Sequence, residues 1–142
     1  MAYNLSDSRT ISFQTSADLS ASQFCFVKLD ATSGLTIAGK NSYALGILEN
    51  QPSATPGGQY AATVAIDGVA RLCVGAAYAI GTFLCPGTSG DGTGIGLNIT
   101  DSSSNLKYAR AMQMQTSTAP GDVVAVRLIG PQPGMDSDGT AI

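Results

Sequence analysis

Short stretches of alternating apolar and polar residues recur along the chain, separated by clusters of turn-forming residues. Residues 9–14 place Ile11 and Phe13 on one face, and residues 61–66 alternate in the same way. Alternation of this kind indicates a half-buried β-strand, and no segment holds the i, i+3, i+4, i+7 apolar pattern of a helix over three turns. The strands predicted in this way cover residues 9–14, 24–29, 35–38, 44–48, 61–66, 69–74, 83–85, 95–99, 108–115 and 123–129.

The number of strands and the spacing of the turns indicate the fold class. About eight to ten short strands, with turns roughly every 8–12 residues, are typical of a sandwich or barrel and not of a parallel α/β fold. We therefore expect an all-β protein, a compact β-barrel or β-sandwich over residues 9–129, with an extended N-terminal arm over residues 1–8 and a C-terminal tail over residues 130–142. Both ends are too polar to fold alone, and such segments often gain order by lying on a neighbouring chain.

Two glycines lead to specific predictions about the backbone. Asp67-Gly68 accepts the positive φ of a type I′ turn, so we expect a hairpin between the strands on either side of it. Gly46 lies inside a predicted strand, where a glycine indicates a bulge or the close approach of another backbone.

The composition leaves the chain few groups for catalysis. It has no histidine, no tryptophan and a single glutamate, Glu49, and 12% of its residues are charged. Such a chain builds a stable β-structure but supplies little for acid–base, nucleophilic or metal chemistry. We therefore expect a structural or binding protein and not an enzyme.

Charge and hydropathy limit the classes of partner. The net charge is −3 and the seven basic residues are scattered, so counterion release would contribute little and we expect no nucleic-acid partner. No apolar run approaches the roughly 20 residues of a membrane helix, so we expect no membrane partner. Residues 1–10 lack the apolar region of a secretory signal.

The cysteines indicate a reducing compartment. Cys25, Cys73 and Cys85 are an odd number at irregular spacing, with no C-x-x-C pair and no histidine to complete a zinc site. We expect buried or half-buried thiols. One disulfide with one spare thiol is the alternative.

Two motifs resemble chemical sites but have simpler interpretations. Gly90–Gly94 looks like a phosphate loop, yet it lacks the Gly-Lys-Ser/Thr ending and a following helix start, which favours a flexible hairpin loop. Asp67, Asp91 and Asp138 are each followed directly by glycine. An aspartic protease needs Asp-Thr-Gly or Asp-Ser-Gly, so this sequence does not favour a protease of that class.

The carboxylates and lysines give no firm site. Asp91, Asp101, Asp136 and Asp138 stand outside any D-x-D-x-D-G array, so solvated loop carboxylates are favoured over calcium ligands. A hydroxyl–lysine dyad built from a serine and Lys28, Lys40 or Lys107 stays open. We expect no cofactor and no metal site.

The segment around residue 112 has two interpretations. Tyr108, Met112 and Met114 share one face of a predicted strand, opposite Ala109 and Ala111. Alternation with small residues favours a core position for the larger side chains. The alternative is an adaptable apolar patch at a subunit contact, because methionine repacks easily against a partner.

Three parts of the sequence carry a resemblance to a known family. They are Met1-Ala2-Tyr3-Asn4, then Ala65-Ile66-Asp67-Gly68-Val69-Ala70, and then Ala109-Arg110-Ala111 with Gly121-Asp122-Val123-Val124-Ala125-Val126-Arg127-Leu128. Together with the acidic, Gly/Ala/Val-rich composition, they resemble the capsid cement, or head decoration, proteins of tailed bacteriophages. The similarity runs along most of residues 2–129.

The resemblance implies a structural role. Proteins of this family form a compact β-barrel or sandwich on the outer surface of the expanded head, often as trimers, and have no catalytic residues. The implied partners are the major capsid protein and further copies of the chain in a homotrimer. The implied location is the outer surface of the capsid in the virion, after assembly in the host cytoplasm.

The N-terminal arm and the first residue of the strand that follows it hold the residues that we expect to contact the shell or a neighbouring subunit. Tyr3, Leu5 and Arg9 offer a ring, an aliphatic group and a charge next to the first predicted strand. An arm that adds to a sheet edge gains main-chain hydrogen bonds while needing few side-chain contacts.

Two rival functions come from different classes. A receptor- or carbohydrate-binding β-module of a phage fibre would usually present exposed aromatic side chains, and the chain has no tryptophan and five tyrosines. A small trimeric β enzyme, such as a nucleotide hydrolase, would carry substrate loops around a metal-binding carboxylate, and the sequence shows none.

Overall fold

The described part of the chain is all-β. The computed structural model describes residues 9–39, 42–87, 94–96 and 108–133, and within these ranges it contains strands and no helix. Every pairing between the strands is antiparallel, which confirms the predicted fold class. The strands are β1 (Arg9–Thr15), β2 (Phe26–Asp30), β3 (Gly34–Ile37), β4 (Gly46–Leu48), β5 (Tyr60–Cys73), β6 (Phe83–Pro86), β7 (Gly94–Gly96), β8 (Tyr108–Gln113) and β9 (Val123–Pro133).

The long strand β5 joins the two halves of the sheet. The strands follow the order β3-β2-β4-β5-β9-β8-β6-β7, and β1 pairs with β5 outside this path. The first half of β5 pairs with β1 and β4, and the second half pairs with β9. Because β5 continues through Asp67-Gly68 without turning back, the predicted hairpin is wrong.

A bulge stands where the hairpin turn was predicted. Gly68 has the positive φ expected of this Asp-Gly pair, +84°. The register with β1 shifts between Arg9 and Thr10, which face Asp67 and Ala65, and pairing with β9 begins at Gly68. A glycine at positive φ allows a strand to bend at a bulge while pairing continues on both sides. The chain therefore uses Gly68 to pass from one set of partner strands to the other.

Two apolar clusters lie on opposite faces of the first strands. The first cluster contains Leu19, Val27, Leu35, Leu48, Ala62 and Val64, with Ile11 and Phe13 packed against it. The second contains Phe26, Ala38, Ala44, Ile47, Ala65, Ala70, Leu72, Val74, Leu84, Ala111, Val124, Val126 and Leu128. Neighbours such as Phe26 and Val27 point to opposite faces of a strand and belong to different clusters. The start of β2 is therefore buried on both faces, as its continuous apolar run predicts.

The sheet curls so that β1 approaches β3 around the first cluster. The Ser16 amide donates to the Ser33 carbonyl (3.0 Å). The fully buried Thr15 hydroxyl donates to the Leu35 carbonyl (2.7 Å). These bonds cover part of the β3 edge, which would otherwise offer its backbone groups to another chain.

Gly46 marks a close approach of two backbones, as predicted. A Cβ atom at Gly46 in β4 would lie 2.0 Å from the carbonyl oxygen of Ala65 in β5. No side chain fits at this distance, so the packing of β4 on β5 requires glycine here.

Three finer predictions differ from the structure. β9 runs to Pro133, beyond the end predicted at Ile129, because its last residues pair with β8. Leu29 was predicted within a buried strand but is 59% exposed, because β4 pairs with β2 only as far as Val27. Ala125 was predicted to face outward but is buried, and its amide donates to the Gln115 side chain (2.8 Å).

The cysteines occupy the predicted environments. Cys25 and Cys85 are buried and Cys73 is half-buried, which confirms the burial part of the prediction. Their oxidation state in solution stays a prediction.

Candidate functional site

One of the three residues predicted to contact the shell lies within the described ranges. Arg9 is exposed, begins β1 and faces Asp67 at the bulge of β5. Tyr3 and Leu5 lie outside the described residues, as does the rest of the arm. The structure therefore places the base of the predicted arm beside the bulge, and the contacts of Tyr3, Leu5 and Arg9 stay a prediction.

The methionines of β8 and its extension do not form the core. Ala109, Ala111 and Gln113 are the buried residues on one face, whereas Met112 and Met114 are half-exposed. The prediction of a core position for the two methionines is therefore wrong. Ala111 belongs to the second cluster, and because neighbouring side chains of a strand point to opposite faces, Met112 points away from that cluster. The side chain of Tyr108 is not among those that the structure describes.

The outward side of the second half of the sheet is partly apolar. Phe83, Met112, Arg127 and Val69 lie in register across β6, β8, β9 and β5. Phe83 and Arg127 are exposed, and the other two are half-exposed. We call these four residues the outer row. It agrees with the second interpretation of the methionines, an adaptable patch at a subunit contact, which stays a prediction.

Arg110 is a buried charge that sequence reasoning missed. Its side chain, in β8, is 8% exposed. Nε donates to the Ala44 carbonyl (3.2 Å), Nη2 donates to the carbonyls of Leu45 (2.9 Å) and Ile66 (2.7 Å), and Nη1 donates to the Ile129 carbonyl. One guanidinium thus links the segment before β4 to β5 and β9.

The environment of Arg110 explains its role. Burial lowers the pKa of Arg110, and the charge of Asp67 opposes this effect. A guanidinium remains protonated in proteins and presents five N–H donors in a fixed plane. It therefore supplies several carbonyls at once, which a flexible lysine does not. No sequence signal distinguishes this arginine from an exposed one, because its partners are backbone groups distant in the chain.

An open cleft lies where residues 42–45 leave β2. The Leu45 amide still donates to the Val27 carbonyl (2.8 Å), but β4 pairs with β2 only through Phe26 and Val27. Beyond this point the two segments border a cavity of about 570 Å³. Its lining residues are Lys28, Leu29, Ser42, Tyr43, Ala44 and Leu45. We call it the Tyr43 cleft.

The Tyr43 cleft combines apolar and polar groups. Tyr43 is 57% exposed, and Leu29 on the other side is exposed to a similar extent. Lys28 Nζ donates to Ser42 Oγ (3.3 Å). The structure therefore brings Lys28 to a serine hydroxyl, one of the pairs that the sequence left open. Lys40 and Lys107 lie outside the described residues.

Glu49 is a half-buried carboxyl next to Arg71. Its Oε1 atom is buried with no hydrogen-bond partner among the described residues. Burial raises the pKa of Glu49, and a hydrogen bond from the Arg71 backbone and the charge of Arg71 oppose the rise. Ionising this carboxyl therefore has a free-energy cost in the folded protein.

The remaining candidates fall largely outside the described ranges. These candidates are Gly90 to Thr93 of the Gly-rich loop, together with Asp91, Asp101, Asp136 and Asp138. Within those ranges, no three His, Cys, Asp or Glu side chains are grouped so that they could hold a metal ion. The same part of the chain contains no helix long and apolar enough to cross a membrane.

Comparison with known proteins shows a similar fold in one phage protein. No family model matches the chain, and no curated protein matches it. Among solved structures, the chain is similar to the crystal structure of the head fiber gp8.5 N base in bacteriophage phi29, with a TM-score of 0.59 and 15% sequence identity. The match covers 85% of this chain and 95% of the other. At this level of identity, the likeness shows that the chain shares the β-fold of that head fiber base.

Proposed function

We propose that this chain is a structural protein of a bacteriophage head, and that it acts as a cement protein on the outer surface of the shell. The observation that carries the proposal is the likeness of fold, which covers 95% of the phi29 head fiber base. The resemblance of most of residues 2–129 to the cement family supports the same class. The proposed partners are the major capsid protein and further copies of this chain.

The fold suits a passive binding role. Strands buried on both faces and the seam between β1 and β3 give a stable body whose edges are partly covered. Stabilisation of the shell follows from mass action, because a protein that binds only the mature shell favours it over its alternatives. Many copies with modest affinity give a large total effect.

The proposal assigns two contacts. The arm leading to Arg9 would tie each copy to the shell or to a neighbour. The half-exposed methionine of the outer row would lie between copies of a homotrimer, because methionine adapts its shape to a partner. Association through the outer row is expected to weaken when Met112 is replaced by serine, as measured by sedimentation equilibrium.

A second candidate function is favoured by one observation. The exposed ring of Tyr43 borders an open cleft. Exposed aromatic side chains are what a carbohydrate-binding module of a phage fibre would present, so this ring favours that function as the second candidate. This candidate and the cement role differ in the surface that they bind, a glycan in one case and an assembled protein shell in the other.

Binding to particles tests the proposal directly. Purified protein is mixed with undecorated heads from the same phage and sedimented, and the bound copies per particle are counted. We expect saturable binding and a higher temperature of DNA release from the heads. Deletion of residues 2–8 should weaken binding without unfolding the protein. Full-length protein that fails to bind would contradict the cement role, and full affinity of the deletion variant would contradict the role of the arm.

A further inference from the structure

We propose that the Tyr43 cleft binds an acidic sugar unit of a carbohydrate chain. The cleft is open and bordered by two exposed apolar side chains, with an ammonium and a hydroxyl inside it. Binding pockets usually combine an apolar lining with a few polar groups that fix the orientation of the ligand. This site does not depend on the cement role.

The apolar groups suit the carbon face of a sugar ring. Tyr43 presents an aromatic body and a polar tip, and Leu29 borders the same cavity. A sugar ring has an apolar C–H face and a rim of hydroxyls, so it can stack on the ring while its hydroxyls meet polar groups. Tyrosine is favoured in such positions because one end is apolar and the other is wet.

The polar groups select a negative charge. The Lys28 ammonium has three N–H donors, of which one is directed to Ser42 Oγ. The remaining two donors are enough to bind both oxygens of a carboxylate. Such a bond would be charge-assisted, and a charge-assisted hydrogen bond is stronger than a neutral one. The nearby Asp30 carboxylate accepts bonds from the Ser33 amide (2.8 Å) and the Ser33 hydroxyl (2.7 Å). The hydrogen bonds from Ser33 are the main cause that lowers the pKa of Asp30, and the charge of Lys28 is the smallest contribution, so this acid is engaged mainly within its own turn.

The wall of the cleft is fixed by the buried guanidinium. Arg110 binds the carbonyls of Ala44 and Leu45, the two residues that follow Tyr43. The Leu45 amide is bound to the Val27 carbonyl. A backbone held on both sides loses little freedom when a ligand binds, and such preorganisation increases affinity. Arg110 is therefore a positioning residue for the site.

The shape of the cleft favours a carbohydrate unit over other ligands. An enclosed pocket would bury most of a small molecule, whereas this cavity is open along the surface and suits one unit or the end of a longer chain. A second copy of the protein could also cover the exposed Tyr43 and Leu29, and that occupant is an outcome of the test below.

The test measures binding of defined sugars to the full chain. Oligosaccharides that end in galacturonic, glucuronic or sialic acid are compared with their neutral counterparts and with glutamate, by titration calorimetry. We expect at least one acidic sugar to bind with a Kd of about 1 mM or lower. Tyr43→Ser and Lys28→Gln should each weaken it about tenfold or more. Ile80→Ser, which changes a similarly exposed apolar residue outside the cleft lining, should leave it unchanged.

Each contrary outcome overturns the proposal. These outcomes are no binding of any acidic sugar at about 10 mM, equal binding of the neutral counterparts or glutamate, and unchanged binding by Tyr43→Ser. Loss of self-association in Tyr43→Ser without sugar binding would assign the cleft to a second copy. A protein that decorates heads but binds no sugar would refute this site alone, and one that binds sugar but no heads would refute the cement role alone.

Discussion

Replacing Arg110 with methionine measures what the buried guanidinium contributes to stability. Methionine is unbranched and flexible, so it fills a similar space without any N–H donor. The variant would leave four carbonyl groups, in three separate segments, without the donors that they have in the parent protein.

The magnitude follows from two opposing effects. A hydrogen bond to a charged group contributes about 1.5–3 kcal/mol, so four bonds contribute about 6–12 kcal/mol to the free energy of unfolding. Removing the cation also removes its desolvation cost, which is several kcal/mol. We expect a net loss of about 3–5 kcal/mol, the usual result when one partner of a buried polar contact is deleted. For a domain of this size the loss lowers Tm by roughly 10–17 °C.

Urea unfolding followed by circular dichroism provides the assay. Arg127→Met is the matched control, because Arg127 is exposed on β9, and it should change stability by less than about 0.5 kcal/mol. Arg110→Lys should also be destabilised, since a single ammonium does not reach all the segments that the planar guanidinium links. An Arg110→Met variant as stable as the parent would refute the reasoning.

Three further changes test other features. Gly46→Ala should lower the free energy of unfolding by at least about 3 kcal/mol, because its Cβ would lie 2.0 Å from the Ala65 carbonyl oxygen. Gly130→Ala is the control: it has open space around it and should leave the free energy nearly unchanged in the same urea assay. Gly68→Val should cost about 1–3 kcal/mol because φ is positive, and an unchanged Tm would show that the bulge does not need glycine. Glu49 has a raised pKa in the folded state, so the unfolding free energy of the parent should fall as pH rises from the ordinary glutamate pKa, about 4.3, toward the raised value. Glu49→Gln should lack this fall and be the more stable protein at pH 7; identical pH profiles would contradict the assignment.

The existence of the strands was predictable because most of them have one clear local pattern. β1 alternates between an apolar face on the first cluster and a polar face, and its bounds were predicted to within one residue. The special backbone at Gly46 was predictable because a glycine inside an apolar strand indicates a bulge or a close approach, and the structure shows the close approach. Both features depend on residues that are close together in the sequence, so a local sequence pattern is sufficient to predict them.

The partners of the strands were not predictable in the same way. A type I′ turn and a bulge both need positive φ, so Asp67-Gly68 fits either, and the choice depends on strands distant in the chain. Arg110 carries no local sign of burial, since its acceptors are carbonyls up to 66 residues away in sequence. The Tyr43 cleft depends on where β4 stops pairing with β2, which is also a property of the whole sheet.

The central claim is that this chain binds the outside of a phage head. An electron cryo-microscopy map of particles purified from the host that produces this chain tests it most directly. We predict density that fits the β-sheet of the described residues at symmetry-related positions on the outer surface of the shell. A saturated particle with no such density, while the chain is present in the lysate, would contradict the claim.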